Sequence, residues 1–152
     1  MYWLCKTEPS TYSIDDLKKD DINQWEGVRN YQARNYLKSM KSGDLVIIYH
    51  SNEAPVGAVG IAEVIVEGYA DWSQFDKKSK YFDPRASKEN PRWWAPDLRF
   101  KEKFTRVVTL SEMRECKVLE GMVILGKGSR LSVTPLLEKE FKEIIRLSKK
   151  SE

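Results

Sequence analysis

The sequence is short of the residues that most often carry chemistry. Its 152 residues include one histidine and two cysteines, Cys5 and Cys116. Two cysteines this far apart make no disulfide framework, so an intracellular chain is expected. These three side chains are too few for a four-ligand zinc site built from soft ligands alone. No apolar run approaches the roughly 20 residues a membrane-spanning helix needs, so no membrane partner is expected. The opening Met1-Tyr-Trp-Leu-Cys-Lys-Thr-Glu-Pro9 has no basic stretch followed by an apolar one, and no secretory signal is expected. A cytoplasmic location follows, with a nuclear one open to a eukaryotic chain. The nucleophile-elbow, zincin, P-loop and dinucleotide-binding motifs are all missing. No repeat, low-complexity tract or Gly/Ser linker divides the chain, and residues 1–152 read as one domain.

What is present is an ordinary globular composition, 41% hydrophobic and 32% charged. Its charge is unevenly spread. Residues 1–76 carry a net −5 and residues 77–152 a net +8, within an overall +3. That polarity suits a polyanion on one face, and also suits an ordinary solvated surface.

Periodicity and punctuation predict the elements. Tyr2 to Lys6 reads as a buried strand, and Ser13 with Asp16 caps a short helix. Asn30 to Met40 reads as a helix, and Leu45–His50 and Ala58–Val66 as a core hairpin. Asp71 to Pro96 is a long polar segment with three prolines and six aromatics, a composition that points to function rather than disorder. Leu98 to Val108 is a further strand, and Thr109-Leu-Ser-Glu112 opens a short helix. Leu131-Ser-Val133 makes a last strand, and Thr134-Pro135 starts a helix buried through Leu137, Phe141, Ile144 and Ile145. The sum is an α+β domain around a small curled sheet or barrel.

Several residue groups admit both a chemical and a plain reading. Gly126-Lys-Gly128-Ser-Arg130 lacks Walker spacing and reads as a surface turn before a phosphate loop. A cysteine could pair with His50 as nucleophile and base, but Cys5 sits in an apolar strand and nothing places Cys116 near His50. Aromatics make up 11% of the chain, enough to fill a core. Trp3, Trp25, Trp93 and Trp94 nevertheless stand beside polar residues at element ends, as the walls of a pocket for a flat heterocycle would. Tyr49-His50-Ser51-Asn52 ends a core strand and either faces a cavity mouth or turns the chain.

A set of motifs then stands in a telling order: Trp3-Leu-Cys-Lys6-Thr-Glu-Pro9, Trp25-Glu-Gly-Val-Arg-Asn-Tyr-Gln-Ala-Arg34-Asn, Gly43-Asp-Leu-Val, Tyr49-His-Ser-Asn52, Val59-Gly-Ile-Ala62, Tyr81-Phe-Asp-Pro84, Asn90-Pro-Arg-Trp-Trp94 and Leu131-Ser-Val133. Over about residues 2–147 the chain resembles the EVE domain family. The resemblance implies a PUA-like fold, a curled and mostly antiparallel β-barrel with short peripheral helices, related to YTH and ASCH domains. It also implies a non-catalytic module, without a cofactor, that takes a modified base from nucleic acid into an aromatic pocket. Modified cytosine in DNA is the first expectation; modified RNA, or an enzyme acting on a nucleotide, are the alternatives. With no nuclease segment in the chain, a reader or adaptor is implied. Matching motifs nominate Lys6, Trp25, Arg29, Asn30, Tyr49, His50, Ser51, Asn52, Arg92 and Trp93. In that scheme Trp25 and Trp93 stack on the base, Ser51 and Asn30 read its edge, and Lys6, Arg29 and Arg92 meet phosphate or a base oxygen. Lys77, Lys78, Lys80 and Arg85 either steer the strand or form a solvated face.

Overall fold

The computed structural model describes residues 1–126 and 130–150. In chain order its elements are β1 (Tyr2–Thr7), α1 (Ile14–Asp20), β2 (Ile22–Gln24), α2 (Tyr31–Ser39), β3 (Leu45–His50), β4 (Gly57–Ala70), β5 (Trp94–Thr109), α3 (Leu110–Arg114), β6 (Val133–Leu136) and α4 (Glu138–Ser148). Strands β1 and β3 are continuous apolar runs because the sheet is covered on both faces. Successive side chains point to opposite faces. Trp3, Cys5, Val46 and Ile48 pack with Leu17 of α1 and Leu37 of α2. Leu4, Ile47 and Tyr49 pack with Phe141 and Ile144 of α4.

The six strands lie in the order β2-β5-β4-β3-β1-β6. Four of the five ladders are antiparallel, and β1 runs parallel to β3, with Tyr2 opposite Leu45 and Thr7 opposite His50. A parallel pair needs a crossover, supplied here by α1, β2 and α2. Both strands therefore end side by side, and the crossover brings residues 25–30 beside those ends. The α+β reading and the β3–β4 hairpin agree with the structure. The barrel does not close: β2 and β6 are free edges among the described residues, and the sheet is mixed.

Local signals account for the helix starts. Ser13 accepts from the Asp16 N–H at 3.1 Å while Asp16 accepts from the Ser13 N–H at 2.9 Å. Thr109 caps α3 by accepting from the Glu112 N–H at 3.2 Å. The expected helix start at Thr134-Pro135 is wrong. Both residues lie in β6, an edge strand where proline is tolerated because its missing N–H breaks no ladder. Helix α4 begins three residues later, with Glu140 accepting from the Leu137 N–H at 2.8 Å, and Leu137 is exposed rather than in the core. Strands β4 and β5 extend beyond the expected limits because register shifts keep their polar ends in the ladder. The Gly126-Lys-Gly128 turn falls partly outside the described residues.

Gly57 opens β4 where β5 crosses closely. A Cβ there would lie 2.8 Å from the Thr109 Cα and closer still to the Val108 carbonyl oxygen. Backbone cannot rotate aside, so Gly57→Ala is expected to cost about 1–3 kcal/mol, read as a lower urea midpoint.

Candidate functional site

Where β1 and β3 end, a cleft of about 850 Å³ opens between Lys6–Glu8, Ser51–Asn52, Trp25–Arg29 and Tyr81. Trp25 and Tyr12 are among its lining residues, and their rings meet edge-on at 6.0 Å and 81°. Its rim is polar. Asn52, held at φ +66°, donates to Glu8 Oε1 at 2.8 Å, and Thr7 Oγ1 donates to the Tyr12 carbonyl at 2.8 Å. The Ser51 hydroxyl makes no hydrogen bond among the described residues. Lys6 Nζ has no carboxylate within ion-pair distance among them either; its nearest aromatic partner is Tyr49, 5.9 Å to the centroid. Burial lowers the Lys6 pKa below its usual value, so an anion or a polar oxygen entering the cleft would relieve a desolvated cation. Burial pushes the Glu26 carboxyl on the opposite wall up, its own backbone N–H opposes that, and nearby Asp71 adds to it.

The wall between them is built on one buried carboxylate. Asp71 Oδ2 accepts from the Gly27 N–H at 2.8 Å and from Arg29 at 3.0 Å, while Oδ1 accepts from the Ser73 N–H at 2.7 Å and from its hydroxyl. Arg29 spends its other N–H groups on the carbonyls of Val28 and Tyr81 and on Ser73 Oγ, at 2.7–3.2 Å. All five guanidinium donors are thus engaged. Gly27 sits at φ +91°, and a Cβ would run into the Tyr81 ring.

Behind this wall lies a second cleft of about 460 Å³, lined by Arg29, Tyr31, Lys80, Tyr81, Asp83 and Trp93 among others. Trp93 donates through Nε1 to Asp83 Oδ2 at 2.8 Å and stacks on Tyr31 at 4.9 Å. Burial raises the Asp83 pKa, but the donors of Trp93 and Arg85 outweigh it and hold the carboxyl at about 2. Gln74 fixes the chain here, accepting from the N–H groups of Arg92 and Trp93 at 2.9 and 3.1 Å.

The nominated residues are therefore divided. Lys6, Trp25, Arg29, Ser51 and Asn52 line the larger cleft, and Trp93 lines the smaller with Arg29. Asn30, Tyr49, His50 and Arg92 line neither. Asn30 caps α2, accepting from the Ala33 N–H at 2.9 Å. Strand alternation buries Tyr49 with Ile47 on the α4 side. His50 Nε2 accepts from the Ile14 N–H at 3.1 Å, at the start of α1. Arg92 lies 3.6 Å from Asp83 and donates to the Tyr31 hydroxyl. Trp25 and Trp93 face different clefts and form no sandwich. The sequence reading missed Tyr12, Glu26 and Tyr81 at the cleft, and Asp71, Gln74 and Asp83 behind it. Asp83 stood in the motif Tyr81-Phe-Asp-Pro84 without a role, and for Asp71 and Gln74 the only signal was their place in the aromatic-rich polar segment 71–96.

Neither cysteine approaches His50: Cys5 is buried with Trp3 and Ile48, and Cys116 donates to Glu143 at 3.1 Å. Among the described residues no three His, Cys, Asp or Glu side chains gather as metal ligands, and no helix is long and apolar enough to cross a membrane.

An open mixed sheet carries a cleft at the ends of its parallel strands, and a model of the EVE domain matches residues 1–147; the chain belongs to the EVE domain family. Thymocyte nuclear protein 1 of Gallus gallus is 38% identical over 165 residues, covering 96% of this chain and 68% of that protein. A solved protein from Pseudomonas syringae is similar with TM-score 0.94 at 38% identity, over 97% of this chain and 99% of that one. Human THYN1, in complex with 5-methylcytosine-containing DNA, is similar with TM-score 0.92 at 34% identity over 99% of each chain. An ASCH protein from Zymomonas mobilis shares the fold alone, at 10% identity and TM-score 0.55.

Two outcomes test this geometry. Asp71→Asn leaves Arg29 short of its counter-charge. Because the Arg29 side chain keeps 23% exposure, the expected cost is about 2–4 kcal/mol, at or below that of breaking a fully buried pair, measured by urea unfolding. His50 has its pKa lowered by burial, with Lys103 reinforcing this and Asp15, Glu53 and Asp16 opposing it. The folded state thus favours neutral His50, whose ring nitrogen holds the Ile14 N–H. Its contribution is full above the ordinary value of 6.5 and is lost as pH falls through the lowered one. An NMR titration of this single imidazole should give a midpoint below 6.5; a midpoint at or above that value contradicts the assignment.

Proposed function

We propose that this chain is a non-catalytic module that holds a 5-modified cytosine of DNA, turned out of the base stack, in the larger cleft. The observation that carries the reading is the likeness over 99% of both chains to human THYN1, a protein captured with 5-methylcytosine-containing DNA. The chemistry of the cleft supports it. A pocket of about 850 Å³ is within the range that takes small ligands whole. Trp25 and Tyr12 offer apolar faces to a base and to a methyl group, and a flipped base is held by such stacking together with hydrogen bonds to its edge. Ser51, Asn52 and Glu8 stand at the rim to read that edge, a carboxylate being the natural acceptor for the cytosine N4 amine. Lys6 answers the phosphate or the base O2, whereas Arg29, with its donors occupied, positions the wall and touches no ligand. Asn30, Tyr49 and His50 support the site from behind.

Trp25 is 6% exposed and packed in the core, so Trp25→Ala would cost about 3–5 kcal/mol of stability and confuse folding with binding. Lys6 is the better probe. Tryptophan fluorescence is followed while short DNA strands with cytosine, 5-methylcytosine or 5-hydroxymethylcytosine are added at fixed low salt. A single methyl recognised by shape is worth about 10- to 200-fold, and that preference for one modified strand is expected. Lys6→Gln should weaken all strands alike and lower the salt slope by about one. Equal, salt-sensitive binding of every strand by the parent protein overturns the reading.

A further inference from the structure

The smaller cleft ends in a half-exposed aromatic ring. Arg29, fixed by Asp71, packs 5.1 Å from the Trp93 centroid, and Tyr31 stacks on Trp93 at 4.9 Å with the planes 20° apart. Tyr31 opens α2 and is 46% exposed. The Arg34 guanidinium lies 4.7 Å from the Tyr31 centroid and 6.0 Å from that of Trp93. Were Arg34 on the outer face of Tyr31, its distance to Trp93 would approach the sum of the other two separations. The triangle instead puts Arg34 at the side of the stack. Arg92 reaches the Tyr31 hydroxyl, also at the edge. Trp93 covers one face of Tyr31, Arg34 and Arg92 flank the ring at 4.7 and 6.0 Å from its centroid, and the residue keeps 46% exposure.

The charges around it favour an anionic partner. Among the described residues Asp83 is the only carboxylate lining this cleft, and it is already neutralised by Arg85 at 3.3 Å and Arg92 at 3.6 Å. Among the described residues Lys80 and Arg34 have no carboxylate within ion-pair distance. Lys80 lines both clefts, as do Arg29 and Tyr81, so one strand could pass from the first to the second beside a cation. A half-exposed aromatic face within a cationic rim is the arrangement that binds single-stranded nucleic acid by stacking.

We infer that the outer face of Tyr31 is a second nucleotide subsite, which stacks a base adjoining the one held in the larger cleft while Lys80 and Arg34 attend the linking phosphate. This rests on the reading given under Proposed function. It explains why Tyr31 remains exposed although a stacked tyrosine could be covered, and it makes the wall built on Asp71 the divider between two adjacent nucleotides. Recognition at this subsite would be sequence-tolerant, because every base has a π-face.

The test uses short DNA strands centred on 5-methylcytosine, with its neighbours either both abasic or replaced by thymine on the 5′ or the 3′ side. All strands carry the same phosphates, so the comparison isolates the neighbouring base. In the parent protein one thymine is expected to tighten binding by roughly 5- to 100-fold, the range for stacking a base on an aromatic ring. Tyr31→Ala should abolish that gain and leave the affinity for the doubly abasic strand unchanged, and Tyr31→Phe should keep it. A parent protein that binds the abasic strand but gains nothing from either thymine overturns the subsite and leaves the first cleft standing. A gain that survives in Tyr31→Ala, or a loss in Tyr31→Ala shared equally by the abasic strand, overturns it too. A parent protein that binds none of these strands removes both readings.

Discussion

The site depends on the Asp71 carboxylate being buried and fully used. A carboxylate at 1% exposure is costly unless every lone pair is answered. Here the answers come from Asp71's own turn and from a segment 42 to 44 positions away. Gly27 and Arg29 arrive from the crossover after β2, Ser73 from the turn after β4, and Tyr81 is recruited through Arg29. That pattern joins the crossover loop to residues 71–83 and produces the wall shared by both clefts. The left-handed backbone at Gly27 follows from the same demand, since its N–H must point inward while the Tyr81 ring fills the place of a side chain.

Electrostatics then divides the cations into two groups by geometry rather than by sequence. Arg29 is consumed by the fold, and the excess of the basic second half is partly offset by carboxylates of the acidic first half, Lys103 pairing with Asp15 and Lys101 with Glu63. The net +8 of residues 77–152 is therefore not one basic face. What matters at the clefts is which ammonium and guanidinium groups lack a carboxylate, and Lys6 belongs to the acidic half. A desolvated lysine in a mostly acidic segment carries more weight for ligand binding than several paired arginines elsewhere.

Much of the fold was legible because its signals are local. The continuous apolar run Leu45–His50, the capping box at Ser13 and the cap at Thr109 each act within a few residues. Pro135 misled because proline after threonine suits a helix start and an edge strand equally, and only the sheet order shows that β6 is an edge. Closure failed for a related reason: the strands have barrel-like composition, but whether β2 meets β6 is a question of long-range pairing. Among the nominated residues, Lys6, Ser51 and Asn52, at the ends of β1 and β3, and Trp25, just after β2, line the larger cleft. Tyr49 and His50 share the motif of Ser51 and Asn52 yet line no cleft: alternation carries Tyr49 to the α4 side with Ile47, and the His50 ring nitrogen holds the first N–H of α1.

By itself the sequence determined most of the element types, β2 and β6 excepted, the burial of the central strands and the family to which the chain belongs, because each rests on periodicity or on motifs read along the chain. The tertiary structure alone decided which aromatic residues share a cleft, which cations are already paired, and that Trp25 and Trp93 stand on opposite sides of one wall. Those outcomes are set by contacts between residues 40 to 60 positions apart, such as Arg29 with Asp71 and with Tyr81. Over such separations the cost of burying a charge selects its partners, and no local pattern records the choice.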